Sequence, residues 1–253
     1  MIANYTNPRL KRLLKRYGKE TSPAKWDFFV GYRPLVRYRM ERQTKKLLEL
    51  IKRNQQNNQD FTFLDVGCGT GRYLIHFLSL GKTVGVDISK PMLEQAKKNT
   101  NGHATLIQAD AENLPFKDNT FDVVTCSYLL ENLNQPKDNP KKVLNEMCRV
   151  AKKKGQIIFT VETWYSVPNL IDCAVSFLRR KMPLNFYSVK KIKKLTKRMD
   201  VQSVSIYGLS PMTVFFPWAR ASLSMVKLIE KIDNRLEKLI PFFGIQLIVE
   251  IKK

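Results

Sequence analysis

The sequence predicts an α/β fold built around a mostly parallel β-sheet. From residue 61 onward, short β-branched runs alternate with longer stretches of helical periodicity, as expected for successive β-α units. A glycine-rich turn, 67–71, follows the first of these runs directly. Two later apolar runs, 201–207 and 245–253, are separated by a long intervening stretch. We expect these two to form a closing antiparallel pair with an insertion between them.

Five strands are predicted where apolar and β-branched residues concentrate. The runs are FTFLDVG (61–67), KTVGVDIS (82–89), ATLIQAD (104–110), FDVVTCS (121–127) and QIIFTVET (156–163). Helices are predicted between them at 71–80, from Pro91 behind Ser89 as N-cap, and at 140–151.

Two regions fall outside this alternation. Residues 1–60 hold an apolar stripe at 10–17 between basic residues, and we interpret them as a basic helical N-terminal cap. The main domain is then expected at 61–253, with the insertion at about 209–244. Within the insertion, apolar residues recur at helical spacing and predict an amphipathic helix; they are Val226, Ile229, Leu236, Leu239 and Ile240.

The excess positive charge is confined to the two ends. Residues 1–60 contain 15 Lys+Arg against 5 Asp+Glu, residues 61–150 contain 10 of each, and residues 151–253 contain 19 against 7. This partition favours a neutral catalytic centre with basic attachments, which attract polyanions such as nucleic acid or anionic lipid. The other interpretation is a set of solvent-exposed lysine faces.

The remaining composition favours a cytoplasmic protein. The start of the chain lacks the apolar core and cleavage site of a signal peptide, and no segment predicts a membrane-spanning helix. The four cysteines form no C-x-x-C pair, which argues against a zinc site or a disulfide framework, and no metal is expected.

The glycine turn is the motif that carries chemistry. Its spacing is G-x-G-x-G at Gly67, Gly69 and Gly71, and Arg72 stands where a dinucleotide fingerprint would have its last glycine. No Lys-Ser/Thr pair follows, so the turn is not a P-loop. Asp65, just ahead of the glycines, would repel a pyrophosphate but suits a ligand that carries positive charge.

Two further carboxylates end the next strands. Asp87 ends the second strand, where an acidic side chain can accept the hydroxyls of a ribose. Asp110 ends the third strand, at the same edge of the sheet. The three acids beside the glycine turn predict a nucleoside pocket at the carboxyl edge.

On these residues the chain resembles the class I S-adenosylmethionine-dependent methyltransferases, with a type 11 methyltransferase domain like that of the ubiquinone/menaquinone C-methyltransferases. The resemblance rests on LDVGCGTGRYL, VGVDIS, QADAENLPF, FDVVTCSYLLENL and VLNEMCRVAKKKGQIIF, and covers about 61–165. It implies a Rossmann-like doubly wound sheet with one reversed strand beside the fifth. It also implies S-adenosylmethionine as cofactor.

The resemblance assigns cofactor-binding residues one by one. The methionine part is assigned to Asp65 and the turn Gly67, Cys68, Gly69 and Gly71, the ribose to Asp87 with Ile88, and the adenine to Asp110 with Ala111. Ser127, after the fourth strand, is assigned to the approach of the cofactor and the substrate.

Catalysis in such an enzyme needs alignment more than a catalytic triad, because methyl transfer from a sulfonium is an in-line displacement. Where relatives often carry a Glu-His pair, this chain has Glu131 and Asn132, so a histidine base is absent there. Glu131 and Tyr128 are therefore the candidate catalytic residues, in contact with the acceptor.

The sequence leaves the identity of the methyl acceptor open. Aromatic segments at 26–34 and 212–220, together with the basic stripe at 9–17, favour a small-molecule or lipid-like acceptor, with peripheral contact to an anionic membrane. A lysine cluster at 190–198 suits RNA, in particular tRNA, or is the exposed face of a packed helix. A cofactor-binding protein without catalysis is the third alternative.

Overall fold

The computed structural model describes residues 34–54, 61–133, 138–163, 186–197, 199–211, 223–241 and 243–253. Its strands are β1 (Thr62–Val66), β2 (Lys82–Asp87), β3 (Thr105–Gln108), β4 (Phe121–Cys126), β5 (Ala151–Glu162), β6 (Ser203–Leu209) and β7 (Gln246–Lys252). Its α-helices are α1 (Pro34–Asn54), α2 (Leu74–Phe77), α3 (Lys90–Asn99), α4 (Pro140–Val150), α5 (Val189–Thr196) and α6 (Leu223–Leu239). A 3-10 turn covers Leu130–Asn132.

Within these residues the strands form one seven-stranded sheet in the order β3-β2-β1-β4-β5-β7-β6. Neighbours from β3 to β5 pair in parallel, whereas β7 runs antiparallel to both β5 and β6. The predicted fold class is confirmed, including the single reversed strand beside the fifth. Because the order reverses between β1 and β4, the carboxyl ends of these strands border a crevice in which such sheets bind ligands.

Apolar side chains cover both faces of the sheet. On one face, Phe63 and Ile158 pack with Leu47 of α1 and Phe77 of α2. On the other face, α4 and α5 cover the sheet, with Met147 and Ile192 in the same buried cluster as Leu64 and Ile157. Alternate residues of each strand therefore point to opposite faces, as β geometry requires.

Two predicted boundaries were wrong. The helix predicted at 71–80 is confined to α2, Leu74–Phe77, with turns on either side. The fifth strand begins at Ala151, directly after α4, rather than at 156. Its pairing with β4 shifts register between Phe121 and Val123, so an irregularity in the ladder accommodates the lysine run 152–154.

The insertion helix differs from its predicted pattern. Ile229 is buried against Leu35 and Tyr38 of α1, in agreement with the expected apolar stripe. Leu239 is 75% exposed and Ile240 41% exposed, so the expected end of that stripe was wrong. The fully buried Asp233 instead accepts a hydrogen bond from the Tyr38 hydroxyl at 2.7 Å.

Several sequence-based predictions lie outside the described residues. These are the basic stripe at 9–17 and the aromatic segments at 26–34, except Pro34, and at 212–220. Among the helices that the structure does describe, none has both the length and the hydropathy needed to cross a bilayer.

Candidate active site

The glycine turn is held against the end of β2. The backbone N–H groups of Gly67 and Cys68 both donate to the carbonyl of Val86, at 2.7 and 3.0 Å. Gly67, Gly69 and Gly71 all have positive φ angles, of 73°, 53° and 78°, in the left-handed region that favours glycine. The G-x-G-x-G spacing therefore encodes a turn that folds back over the second strand.

Gly69 and Gly71 have different surroundings. A Cβ on Gly71 would lie 3.1 Å from the Cβ of Ala96 in α3, so this glycine permits close packing of the turn on the helix. A Cβ on Gly69 would meet nothing within 4 Å. The backbone at Gly69 thus faces open space that a ligand can approach.

Asp87 ties β2 to this turn. Its Oδ2 accepts a hydrogen bond from the Gly69 N–H at 2.9 Å, and its Oδ1 accepts one from the Ser89 N–H at 2.8 Å. Burial raises the pKa of Asp87, and these backbone hydrogen bonds lower it in part. Since a carboxylate has about four lone-pair sites, the group retains capacity to accept hydroxyl donors from a ribose.

Asp65 lies beneath the turn at the end of β1. It is 1% exposed, and its Oδ1 accepts a hydrogen bond from the Thr125 hydroxyl at 2.7 Å. Burial raises the pKa of Asp65 to about 7, the Thr125 hydrogen bond opposes this, and the charge of Asp87 adds to it. A cationic ligand group would offset the cost of ionising this carboxyl.

A cleft opens along the carboxyl edge at β1, β2 and β3. Five of the predicted cofactor-binding residues line it: Gly67, Asp87, Ile88, Asp110 and Ala111. Its other walls are apolar and consist of Val86, Ala109, Leu129, Leu133 and Val143. Asp110 is held by a hydrogen bond from the Glu112 N–H to its Oδ1 at 2.9 Å.

These features fit S-adenosylmethionine. An apolar cleft beside a strand-end carboxylate suits a nucleoside, and the buried Asp65 suits the positive end of the same ligand. Gly67, Asp87, Ile88, Asp110 and Ala111 would hold the adenosine. Asp65 and the rest of the glycine turn, Cys68, Gly69 and Gly71, do not line that cleft and would hold the methionine end.

The candidate catalytic residues lie next to this region, after β4. Glu131 is 2% exposed, and its Oε1 accepts a hydrogen bond from the Glu162 N–H at 2.8 Å. Burial, and then the charge of Glu162, raises the pKa of Glu131 to about 8. Tyr128 has a positive φ of 57°, and its hydroxyl accepts a hydrogen bond from Gln246 Nε2.

Ser127 connects this pair to α1. Its hydroxyl accepts a hydrogen bond from Gln43 Nε2 at 3.3 Å, and the same amide donates to Thr160 at 3.1 Å. Sequence reasoning missed Gln43 and Gln246. A glutamine inside the apolar periodicity of α1 is a weak signal, and a glutamine at the start of β7 gives none.

The lysine cluster of α5 has the geometry of a packed helix. Ile192 and Thr196 are buried, whereas Lys190, Lys193 and Lys194 are exposed. Lys191 lies over the Tyr187 ring at 4.1 Å. The cluster therefore has a structural explanation, and its contact with RNA stays a prediction.

Known proteins resemble this chain in sequence. Residues 64–159 match the family described as "Methyltransferase domain". An uncharacterised protein of Methanocaldococcus jannaschii is 29% identical over 210 residues, which are 81% of this chain and 84% of that protein.

Two relatives with named activities each match a shorter part of the chain. The demethylmenaquinone methyltransferase of Shouchella clausii is 35% identical over 131 residues, 48% of this chain and 53% of the enzyme. The malonyl-[acyl-carrier protein] O-methyltransferase of Buchnera aphidicola is 41% identical over 102 residues, 40% of this chain and 39% of the enzyme. The chain thus spans about half the length, or less, of these two enzymes.

Among solved structures, an S-adenosylmethionine-dependent methyltransferase of Thermotoga maritima superposes with a TM-score of 0.61 at 18% identity, and covers 96% of this chain and 99% of its own. At this identity the similarity shows the fold alone. Sequence match, sheet order and glycine turn agree: residues 64–159 carry a methyltransferase domain, the sheet has the class I S-adenosylmethionine-dependent methyltransferase fold, and the cofactor is S-adenosylmethionine.

Proposed function

We propose that this protein transfers a methyl group from S-adenosylmethionine to a small-molecule or lipid-like acceptor. The names of the two relatives described above, which act on demethylmenaquinone and on malonyl-[acyl-carrier protein], support an acceptor of this kind. We also propose the division into a basic cap at 1–60 and a methyltransferase domain at 61–253.

The observation that carries the proposal is the position of Glu131 beside the cofactor region. Its Oε2 is buried and has no hydrogen-bond partner among the described residues. A carboxyl with a pKa of about 8 is suited to take a proton near neutral pH, which is the range in which general bases work best. Glu131 would accept the proton that the acceptor loses, and the Tyr128 hydroxyl would orient the acceptor.

When bound, S-adenosylmethionine supplies a methyl group that is attached to a positively charged sulfur; as the leaving group, the sulfur becomes a neutral thioether. The residues of the chain would do the rest: Asp87 and the glycine turn hold the nucleoside in line, Asp65 balances the positive charge, and the buried setting of Glu131 excludes water.

Calorimetric titration with S-adenosylmethionine tests the cofactor site. We expect micromolar binding by the wild type, loss of about tenfold or more for Asp87→Ala, and no change for Asp200→Ala, an exposed acid outside the cleft. Folded wild-type protein that does not bind the cofactor would refute the proposal.

Transfer of a labelled methyl group to fractionated small-molecule and lipid extracts then tests the reaction. We expect Glu131→Gln to reduce the rate by about 100-fold while cofactor affinity is kept. Label in RNA instead would favour the RNA alternative, for which the exposed lysines of α5 are the support. Cofactor binding with no label in any fraction would favour a protein without catalysis.

A further inference from the structure

A polar cluster lies on the α1 face of the sheet, at its carboxyl edge, beyond the nucleoside cleft. We call it the acceptor cluster and define it by Gln43, Glu131 and Gln246. Their side chains are 0%, 2% and 2% exposed. They come from α1, from the 3-10 turn after β4 and from the start of β7, so only the folded chain brings them together.

The contacts of these residues converge on the end of β5. Gln43 donates to Thr160 at 3.1 Å, and Glu131 accepts from the Glu162 N–H at 2.8 Å. Gln246 is the register partner of Glu162 in the antiparallel ladder, in which paired Cα atoms are about 5 Å apart. All three side chains therefore lie around residues 160–162.

Each of the three presents an oxygen that no described residue satisfies. Gln43 Oε1, Glu131 Oε2 and Gln246 Oε1 are buried and have no hydrogen-bond partner within the part of the chain that the structure describes. The Nε2 of each glutamine donates to a hydroxyl, those of Ser127 and Thr160 for Gln43 and that of Tyr128 for Gln246, so Oε1 is the amide atom without a described partner. A buried polar atom left without a partner costs about 1 to 3 kcal/mol.

A single buried oxygen without a described partner does not by itself indicate a ligand-binding site. Gln156 also has a buried Oε1 without a described partner, but it lies toward the other end of β5, where its amide donates to Leu50 and Glu250. The acceptor cluster differs because two glutamines with such an oxygen lie near the proposed base, Glu131, which has a third. The two amide oxygens can be satisfied only by a hydrogen-bond donor, and so can the Glu131 oxygen when its carboxyl is ionised.

Local charge determines what kind of donor fits. The carboxyls of Glu162 and Glu131 both act on the Tyr128 hydroxyl and raise its pKa, although burial is the larger cause, and Arg39 opposes them. Burial also raises the pKa of the Tyr73 hydroxyl, Asp65 and Glu131 add to this increase, and Arg72 opposes it. Carboxyl groups on several sides disfavour an anionic ligand, since like charges in a buried site repel strongly.

We propose that Gln43, Glu131 and Gln246 bind the methyl acceptor, and that this acceptor is an uncharged small molecule with at least two hydrogen-bond donors, such as hydroxyl groups. The inference rests on the proposed function and narrows it. Glu131 both receives the proton and anchors the ligand, whereas the two glutamines act as specificity-determining residues that bind without taking part in the chemistry.

The test compares matched probes on protein saturated with S-adenosylhomocysteine. Three donor-bearing compounds, catechol, hydroquinone and glycerol, are titrated beside their fully O-methylated counterparts, with benzoate as an anion. Saturation-transfer NMR detects binding. We expect at least one donor-bearing probe to bind about tenfold more tightly than its methylated counterpart, and benzoate not to bind.

Variants identify the residues responsible. Gln43→Met and Gln246→Met keep side-chain volume but remove the amide, and each is expected to weaken the donor-bearing probe about tenfold. Gln156→Met, the matched control, should leave probe affinity unchanged. Unaltered affinity for S-adenosylhomocysteine shows that each variant is folded.

Three results would overturn the inference: equal binding of a probe and its methylated counterpart, binding of benzoate, or no binding of any donor-bearing probe. Unchanged affinity in both glutamine variants would overturn it as well. If S-adenosylhomocysteine binds and methyl transfer occurs in these cases, the proposed function stands and only the acceptor assignment fails.

Discussion

At the residue scale, alanine substitutions at Gly69 and Gly102 distinguish the effect of backbone strain from the effect on ligand binding. Gly69 and Gly102 have φ angles of 53° and 74°, and a Cβ at either position would meet nothing within 4 Å. Alanine at either site therefore costs about 1 to 2 kcal/mol of backbone strain and no steric overlap. We expect Gly69→Ala and Gly102→Ala to lower the melting temperature by similar amounts.

Only Gly69→Ala is expected to weaken S-adenosylmethionine binding, by about tenfold or more, because its Cβ would occupy the space over the turn. Calorimetry on the two variants measures the difference. Equal cofactor affinity in both would show that the ligand does not approach Gly69.

Asp65 and Glu131 make stability depend on pH. The pKa of Asp65 rises from 3.8 to about 7, and that of Glu131 rises from 4.5 to about 8, mainly through burial. Between these values the folded protein binds more protons than the unfolded chain, so the free energy of unfolding falls as pH rises. For each carboxyl, the stabilisation is complete below its unfolded-state pKa and is lost as pH rises through its folded-state pKa.

We expect the melting temperature of the ligand-free protein to fall from about pH 5 to about pH 8, and to fall less steeply in Glu131→Gln. Glu230→Gln, at an exposed position on α6, serves as control and should follow the wild type. A Glu131→Gln profile parallel to that of the wild type would show that Glu131 does not remain protonated in the folded protein.

At the scale of elements, α1 and α6 are joined by polar contacts as well as by Leu35 and Ile229. The Tyr38 hydroxyl donates to the buried Asp233 at 2.7 Å, and Arg42 donates to Asn234 at 2.8 Å. Arg42 also pairs with Glu237 at 2.5 Å. Because Gln43 directly follows Arg42 in α1, these contacts with α6 help to position the acceptor cluster.

Tyr38→Phe is expected to lower the free energy of unfolding by about 1 to 3 kcal/mol, because it removes a hydrogen bond to a buried carboxyl. Hydrogen exchange in 223–239 should become faster. Glu41→Gln is the control: Glu41 pairs with Arg37 at 3.7 Å, with side chains 70% and 59% exposed, and exposed pairs contribute little. Equal effects of the two substitutions would contradict a stabilising role for the Tyr38 contact.

At the scale of the whole molecule, the net charge of +22 predicts that salt affects binding to surfaces and binding in the cleft differently. Attraction to anionic surfaces is screened by salt, whereas binding in a buried cleft is much less so. We expect the protein to sediment with anionic but not with neutral vesicles at low salt, and to be released at about 0.5 M NaCl. Cofactor affinity should hardly change over the same range.

Sedimentation with tRNA in parallel distinguishes the two polyanions. Binding of tRNA at physiological salt without binding of anionic vesicles would contradict the expectation of membrane contact. Such a result would direct the search for an acceptor toward nucleic acid.

Local sequence patterns predicted the fold class, and the family resemblance predicted the cofactor and the residues assigned to it. Period-two apolar runs and a glycine turn are local signals, and strand-end acids such as Asp87 follow from the position of each strand. The same local reasoning misplaced the start of β5, because its irregular pairing with β4 depends on a partner strand. It also expected Leu239 to be buried, since helical periodicity does not report where a neighbouring helix ends.

Which residues surround the proposed base depends on tertiary packing. Gln43, Glu131 and Gln246 are separated by about 90 and 115 residues along the chain, and no spacing rule connects them. They meet because β7 inserts beside β5 while α1 covers the same face of the sheet. Convergence of this kind depends on strand order and packing, which the pattern of one segment does not contain.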